Sequence, residues 1–194
     1  MKLLCYGDSN TYGYDPRGPI PGRYGADYRW CDLLAKKTSW TVINEGENGR
    51  MVPEPAWGYT DLKRILAENA PVDAMLIMLG SNDIPYCGRA SIKPVVERME
   101  ALLDFLREHW PDMRLILLTP PPVDVPEFPD MEKKLSDLAS AYRVIAEKRK
   151  IDFIDVSIWD VPLAYDGVHL SQRGQQIFAQ KLIPELETIL SGIY

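Results

Sequence analysis

A chain of 194 residues is the size of one globular domain and too short for two large ones. Apolar residues at 46% supply a core, and a net charge of −6 with no basic patch argues against a nucleic-acid-binding surface. Cysteines at 5, 31 and 87 exclude a disulfide framework or a CxxC metal knuckle, and two histidines, His109 and His169, exclude a multi-histidine metal site.

In chain order, short aliphatic runs alternate with amphipathic stretches. Strands are expected over 2–6, 41–44, 74–79, 114–119 and 152–156, where near-continuous hydrophobicity suggests burial on both faces. Helices are expected over 27–37, 59–69, 91–110, 131–150 and 171–190. In the third, Val95, Val96, Met99, Leu102, Leu103 and Leu106 share one face; in the fourth, Leu135, Leu138, Ala139, Tyr142, Ile145 and Ala146 do. This alternation implies an α/β fold, with helices on both faces of a parallel sheet, and a single domain over 1–194. Helix-to-strand connections are tight, whereas the strand-to-helix connections 7–26, 45–58, 80–90, 120–130 and 157–170 are long. In a doubly wound sheet those long loops all emerge at the carboxyl ends of the strands, the edge where such folds bind ligands.

The residues at that edge carry chemistry. Ser9, in Gly7-Asp8-Ser9, stands just beyond the first strand, either as a nucleophile presented to a cleft or as a capping serine. Gly46 and Gly49 follow the second strand, where glycine serves a turn or lets backbone N–H groups approach a substrate oxygen. Asn82, in Gly80-Ser81-Asn82-Asp83, offers a neutral donor or forms an Asx turn. Asp166 and His169, three apart before the last helix, suit a carboxylate-oriented general base. A position near a helix start favours the neutral imidazole. His109 ends a long helix before Trp110-Pro111 and is expected to satisfy helix carbonyls instead.

Together, Gly7-Asp8-Ser9, Gly49 in its Asn-Gly loop, Gly80-x-Asn82-Asp83 and Asp166-x-x-His169 resemble, in chain order, the four blocks of the SGNH hydrolase superfamily, the GDSL esterases and lipases. The resemblance runs from Leu4 to the last helix. It implies a three-layer α/β/α sandwich with a five-stranded parallel, flavodoxin-like sheet, and a carboxylic ester hydrolase working through an acyl-enzyme. It also implies Ser9 as nucleophile, the backbone N–H groups of Ser9 and Gly49 with the Asn82 side chain as oxyanion hole, and His169 with Asp166 completing a triad. Asn44-x-Gly46-x-x-Gly49-Arg50 and Pro120-Pro121-Pro122 are most similar to the bacterial aryl-esterase and acetyl-esterase branch, which implies small or short-chain acyl (acetyl or aryl) esters as substrates. Two departures stand out: position 10 is Asn where the name-giving motif has Leu, and the segment between Ile84 and Ser91 is short.

Asn10, Tyr12 and Trp57, with Tyr59, are expected to flank the substrate, or else to pack the loops. Two other readings compete on a flavodoxin-like sheet: a phosphoacceptor signalling domain using Asp8, Asp83 and Thr119, and a Mg²⁺-dependent hydrolase using Asp8, Asp83 and Asp166. The expected partner is a small-molecule ester, with no cofactor, no metal and no nucleic acid; a homo-oligomer is compatible with the family. No apolar run approaches the ~20 residues that span a bilayer. Gly7-Asp8 breaks the apolar start too early for a secretory signal, so a cytoplasmic location is expected.

Overall fold

The computed structural model describes every residue except 19, 21, 56, 88–90 and 192–194; part of the short segment between Ile84 and Ser91 therefore lies outside the described residues. Its centre is a five-stranded parallel sheet of β1 (Lys2–Gly7), β4 (Thr41–Gly46), β5 (Ala74–Met78), β6 (Arg114–Leu118) and β7 (Asp152–Ile154). These are the five expected strands, in the order β4-β1-β5-β6-β7. The order reverses between β1 and β5, and a crevice opens at their carboxyl ends.

Both faces of the sheet are covered, which is why its strands are apolar almost throughout. On one face Leu4, Tyr6, Met75, Ile77, Leu115 and Leu117 pack against α3 (Gly58–Glu68), α4 (Lys93–His109) and α5 (Pro129–Arg149). On the other, Leu3, Cys5, Leu76, Met78, Ile116 and Leu118 pack against α2 (Trp30–Lys37) and α6 (Gln172–Leu190). The result is a three-layer α/β/α sandwich. In α4 the stripe Val95, Met99, Leu102, Leu103 and Leu106 is wholly buried. In α5 Leu138 and Tyr142 are buried in the same layer.

The long loops hold structure of their own. The loop after β1 forms α1 (Ser9–Tyr12) and a hairpin of β2 (Tyr14–Asp15) with β3 (Gly22–Arg23). The loop after β5 winds into a 3-10 helix over Ser81–Tyr86. The second helix starts at Trp30, three residues later than the apolar pattern suggested, because Tyr28 and Arg29 bond back to Gly25 in a turn. Among the described residues no helix is long and apolar enough to cross a membrane.

Candidate active site

Two strands at the sheet's crevice and one beside them deliver the site. At the end of β1, Asp8 caps α1 by accepting the Asn10 N–H at 2.9 Å. Ser9 is the first residue of that helix, so its own N–H has no intrahelical carbonyl to meet. β4 runs beside β1 in the register Gly7↔Gly46. A Cβ on Gly46 would lie 2.1 Å from the Tyr12 nitrogen, so only glycine lets β4 and α1 lie this close. Gly49 follows at φ +77°, exposed, its N–H taken by no acceptor among the described residues. Beyond β5, Asn82 donates from Nδ2 to the Arg50 carbonyl at 3.1 Å, which leaves the second proton of that amide over.

His169 arrives from the far end of the chain. His169 Nε2 lies 2.9 Å from Ser9 Oγ, and His169 Nδ1 lies 2.7 Å from Asp166 Oδ2. The other carboxylate oxygen of Asp166 accepts the N–H groups of Val168 and His169 at 3.1 and 3.0 Å. The turn is tied at its base, where Ala164 N–H donates to the His169 carbonyl at 2.7 Å and Tyr165 Oη donates to the Pro16 carbonyl at 2.6 Å. Gly167 sits within it at φ +66°, with the Asp124 carbonyl oxygen 1.7 Å from where a Cβ would stand. No other residue fits there. The helix whose start was expected to favour a neutral imidazole begins at Gln172, capped by Ser171, two residues beyond His169.

Two carboxyls here depart from their ordinary values in opposite directions. Burial pushes Asp166 up, but hydrogen bonds from the His169 ring and from two backbone N–H groups outweigh it, and the carboxyl titrates below its usual range. Burial pushes Asp8 up to about 7, with nearby Asp83 adding to the rise; the Asn10 N–H and the Arg50 guanidinium oppose it.

The expected pocket walls stand in different surroundings. Asn10 is 2% exposed, with its amide engaged by backbone on both sides, so it lies behind the site rather than along its wall. Tyr12 is half-buried with the Arg23 guanidinium 4.4 Å over its ring. Trp57 is 85% exposed. Tyr59 stacks on Phe105 of α4 at 4.2 Å, in the packing reading of that residue. A cavity of about 380 Å³ instead adjoins Asn82 and Val168, walled by Ile84, Pro85, Val125, Phe128 and Met131. A larger one of about 550 Å³ lies at the opposite edge of the sheet, around Val72, Trp110 and Met113, away from Ser9. His109 bonds the Phe105 carbonyl through Nδ1 at 3.0 Å, the expected helix-end role.

Three supporting residues were not anticipated. The Tyr14 ring lies 4.5 Å from the His169 ring, centroid to centroid, in a tilted contact. Arg50 lies over the Tyr6 ring at 4.2 Å and donates to the Gly7 carbonyl at 3.0 Å, joining the ends of β1 and β4. Arg98 of α4 pairs with buried Asp83, whose other oxygen accepts the Val52 N–H at 3.1 Å. The sequence signal for that pair was a carboxylate in the turn just beyond an apolar strand, a charge that must find a partner when buried. Thr119, a candidate in the phosphoacceptor reading, is fully buried; its Oγ accepts the N–H groups of Val156 and Ser157 at 2.8 and 2.9 Å. Asp8, Asp83 and Asp166 do not gather into a cluster able to hold a cation, among the described residues.

Known proteins resemble the chain over nearly its whole length. Residues 5–177 match the model of the GDSL-like Lipase/Acylhydrolase family. A GDSL esterase/lipase of Arabidopsis thaliana is 24% identical, over 96% of this chain and 86% of that protein. Among solved structures, a carbohydrate acetylesterase family member from Sinorhizobium meliloti is 30% identical, covers 98% of this chain and 99% of its own, and superposes with a TM-score of 0.83. An inhibitor-bound aryl esterase of M. smegmatis is 26% identical, with coverage of 96% and 98% and a TM-score of 0.83. With the family model spanning most of the chain and an esterase fold matched end to end, the chain belongs to the GDSL-like Lipase/Acylhydrolase family and is a carboxylic ester hydrolase.

Proposed function

We propose that the chain hydrolyses small or short-chain acyl esters, acetyl or aryl esters, through an acyl-enzyme formed on Ser9. The observation that carries this reading is the hydrogen-bonded line from Asp166 through His169 to Ser9, at 2.7 and 2.9 Å. The Asp166 carboxylate holds the ring proton on Nδ1, which turns the Nε2 lone pair toward the serine hydroxyl. Ser9 Oγ attacks the ester carbonyl carbon as its proton passes to Nε2. The displaced electron pair gathers on the carbonyl oxygen, where the N–H groups of Ser9 and Gly49 and the Asn82 amide receive it. The tetrahedral intermediate then expels the alcohol oxygen, which takes the proton from Nε2. Water repeats the sequence on the acyl-enzyme, releases the acid and restores the serine.

Support for a small acyl group comes from two sides. The cavity beside Asn82 and Val168, about 380 Å³, is at the low end of small-ligand pockets. The structural relatives named above include a carbohydrate acetylesterase family member and an aryl esterase.

The test is mass spectrometry after treatment with a fluorophosphonate, beside kinetics on p-nitrophenyl esters of increasing acyl length. The expected result is one adduct on Ser9, hydrolysis that persists in EDTA and vanishes in Ser9→Ala, and kcat/KM that falls beyond short acyl chains. An unlabelled Ser9, under conditions that label a control esterase, overturns the serine mechanism. A rate that rises with chain length overturns the substrate class alone.

A further inference from the structure

Asn10 departs from the name-giving motif and is buried, yet it is the residue next to the nucleophile. Its side chain reaches the loop that carries His169, 160 positions along the chain. Asn10 Oδ1 accepts the Leu170 N–H at 2.8 Å, and Asn10 Nδ2 donates to the Val168 carbonyl at 3.3 Å. The amide therefore grips the backbone immediately before and immediately after His169. Its orientation follows from its partners, because an N–H must meet oxygen and a carbonyl must meet N–H.

The backbone of Asn10 is anchored as firmly. Its carbonyl accepts Trp30 Nε1–H at 3.0 Å and Gln175 Nε2–H at 3.1 Å, and Gln175 Oε1 accepts the Trp30 N–H at 3.0 Å. Trp30 and Gln175 are themselves buried, so helices α2 and α6 clamp the turn that bears Ser9. One residue thus references the nucleophile's turn and the base's loop to each other. A leucine of similar size would keep the backbone anchor but offer the Leu170 N–H no acceptor and the Val168 carbonyl no donor.

We propose that Asn10 is a positioning residue that sets the Ser9–His169 distance by bridging the residues on either side of His169. The proposal rests on the reading of Ser9 and His169 as nucleophile and base. A displacement of about 1 Å between reacting groups costs on the order of a hundredfold in rate.

The test compares Asn10→Leu and Asn10→Asp with wild type, with Ser9→Ala and His169→Ala alongside, on one short-chain p-nitrophenyl ester. Circular dichroism and thermal melts establish folding at each pH. Asn10→Leu is expected to lower kcat ten- to a hundredfold while KM stays within about twofold, with fluorophosphonate labelling of Ser9 slowed to match. Asn10→Asp keeps an acceptor for Leu170 N–H but sets a negative oxygen against the Val168 carbonyl; protonation restores the missing donor. Its kcat relative to wild type therefore rises as pH falls, whereas the same ratio for Asn10→Leu stays flat. A folded Asn10→Leu enzyme within threefold of wild-type kcat overturns the proposal. So does the loss of the folded state in both variants, which would assign Asn10 to the fold alone. Full activity in Ser9→Ala or His169→Ala would instead bring down the proposed triad, and is read separately.

Discussion

Ser9 and His169 meet at 2.9 Å from opposite ends of the chain, and the groups around them divide into donors and holders. Asn82 is in the first set: one proton of its amide is bound to the Arg50 carbonyl, and the proposed mechanism uses the other. Asn82→Ala is expected to lower kcat roughly a hundred- to a thousandfold, the usual cost of one oxyanion donor, with a melting temperature close to wild type. Kinetics and a thermal melt check it, and unchanged turnover would remove Asn82 from the mechanism. Ser9, Asn82, Asp166 and His169 stood out in the sequence because each lies beside a turn glycine or aspartate in a loop after a strand. The holders did not. Asn10 reads as a polar wall until the fold brings residues 168 and 170 against it, and Tyr14 gives no hint of its contact with His169. A side chain's direction in a helix of four residues depends on packing that no local pattern encodes.

At the scale of elements, the sheet and its five long helices were legible throughout, since buried parallel strands are continuous apolar runs and the helices carry one apolar stripe. The hairpin of β2 and β3, α1 and the 3-10 helix were not. Two-residue strands are too short to display a period, and a helix that starts at an aspartate cap on a buried serine has no amphipathic stripe. Helix α4 shows what the stripe contributes. Leu102 is fully buried between the sheet and its neighbours, so Leu102→Ala is expected to destabilise the protein by about 2–5 kcal/mol. Val144 on α5 is 62% exposed, and Val144→Ala is expected to change stability by no more than about 0.5 kcal/mol. Urea denaturation of the two variants checks the contrast, and equal losses would contradict the burial assigned to α4.

For the molecule as a whole, the buried Asp8 carboxyl links stability to pH. Folding raises it from an ordinary 3.8 to about 7, so the native state keeps a proton that the unfolded chain has already released. Its contribution to stability is complete below about pH 3.8 and is lost progressively as pH rises toward 7. Asp8→Asn keeps an oxygen to accept the Asn10 N–H and cannot ionise. Its stability advantage over wild type is expected to grow between pH 5 and pH 8, to at most about 4 kcal/mol. Urea denaturation at the two pH values measures it; an advantage of the same size at both would mean Asp8 does not change charge in that window.

The order in which the site is written along the chain has a consequence for its birth. Ser9 and Asn82 belong to the first half of the chain, and Asp166 and His169 to the loop just ahead of α6. Gln175 of α6 then anchors the turn beside Ser9. A ribosome makes Ser9 long before His169 exists, so the contact between them has to wait for nearly the whole chain to be synthesised. On the proposed mechanism, the nascent chain therefore carries an unarmed serine until the loop bearing Asp166 and His169 has been made.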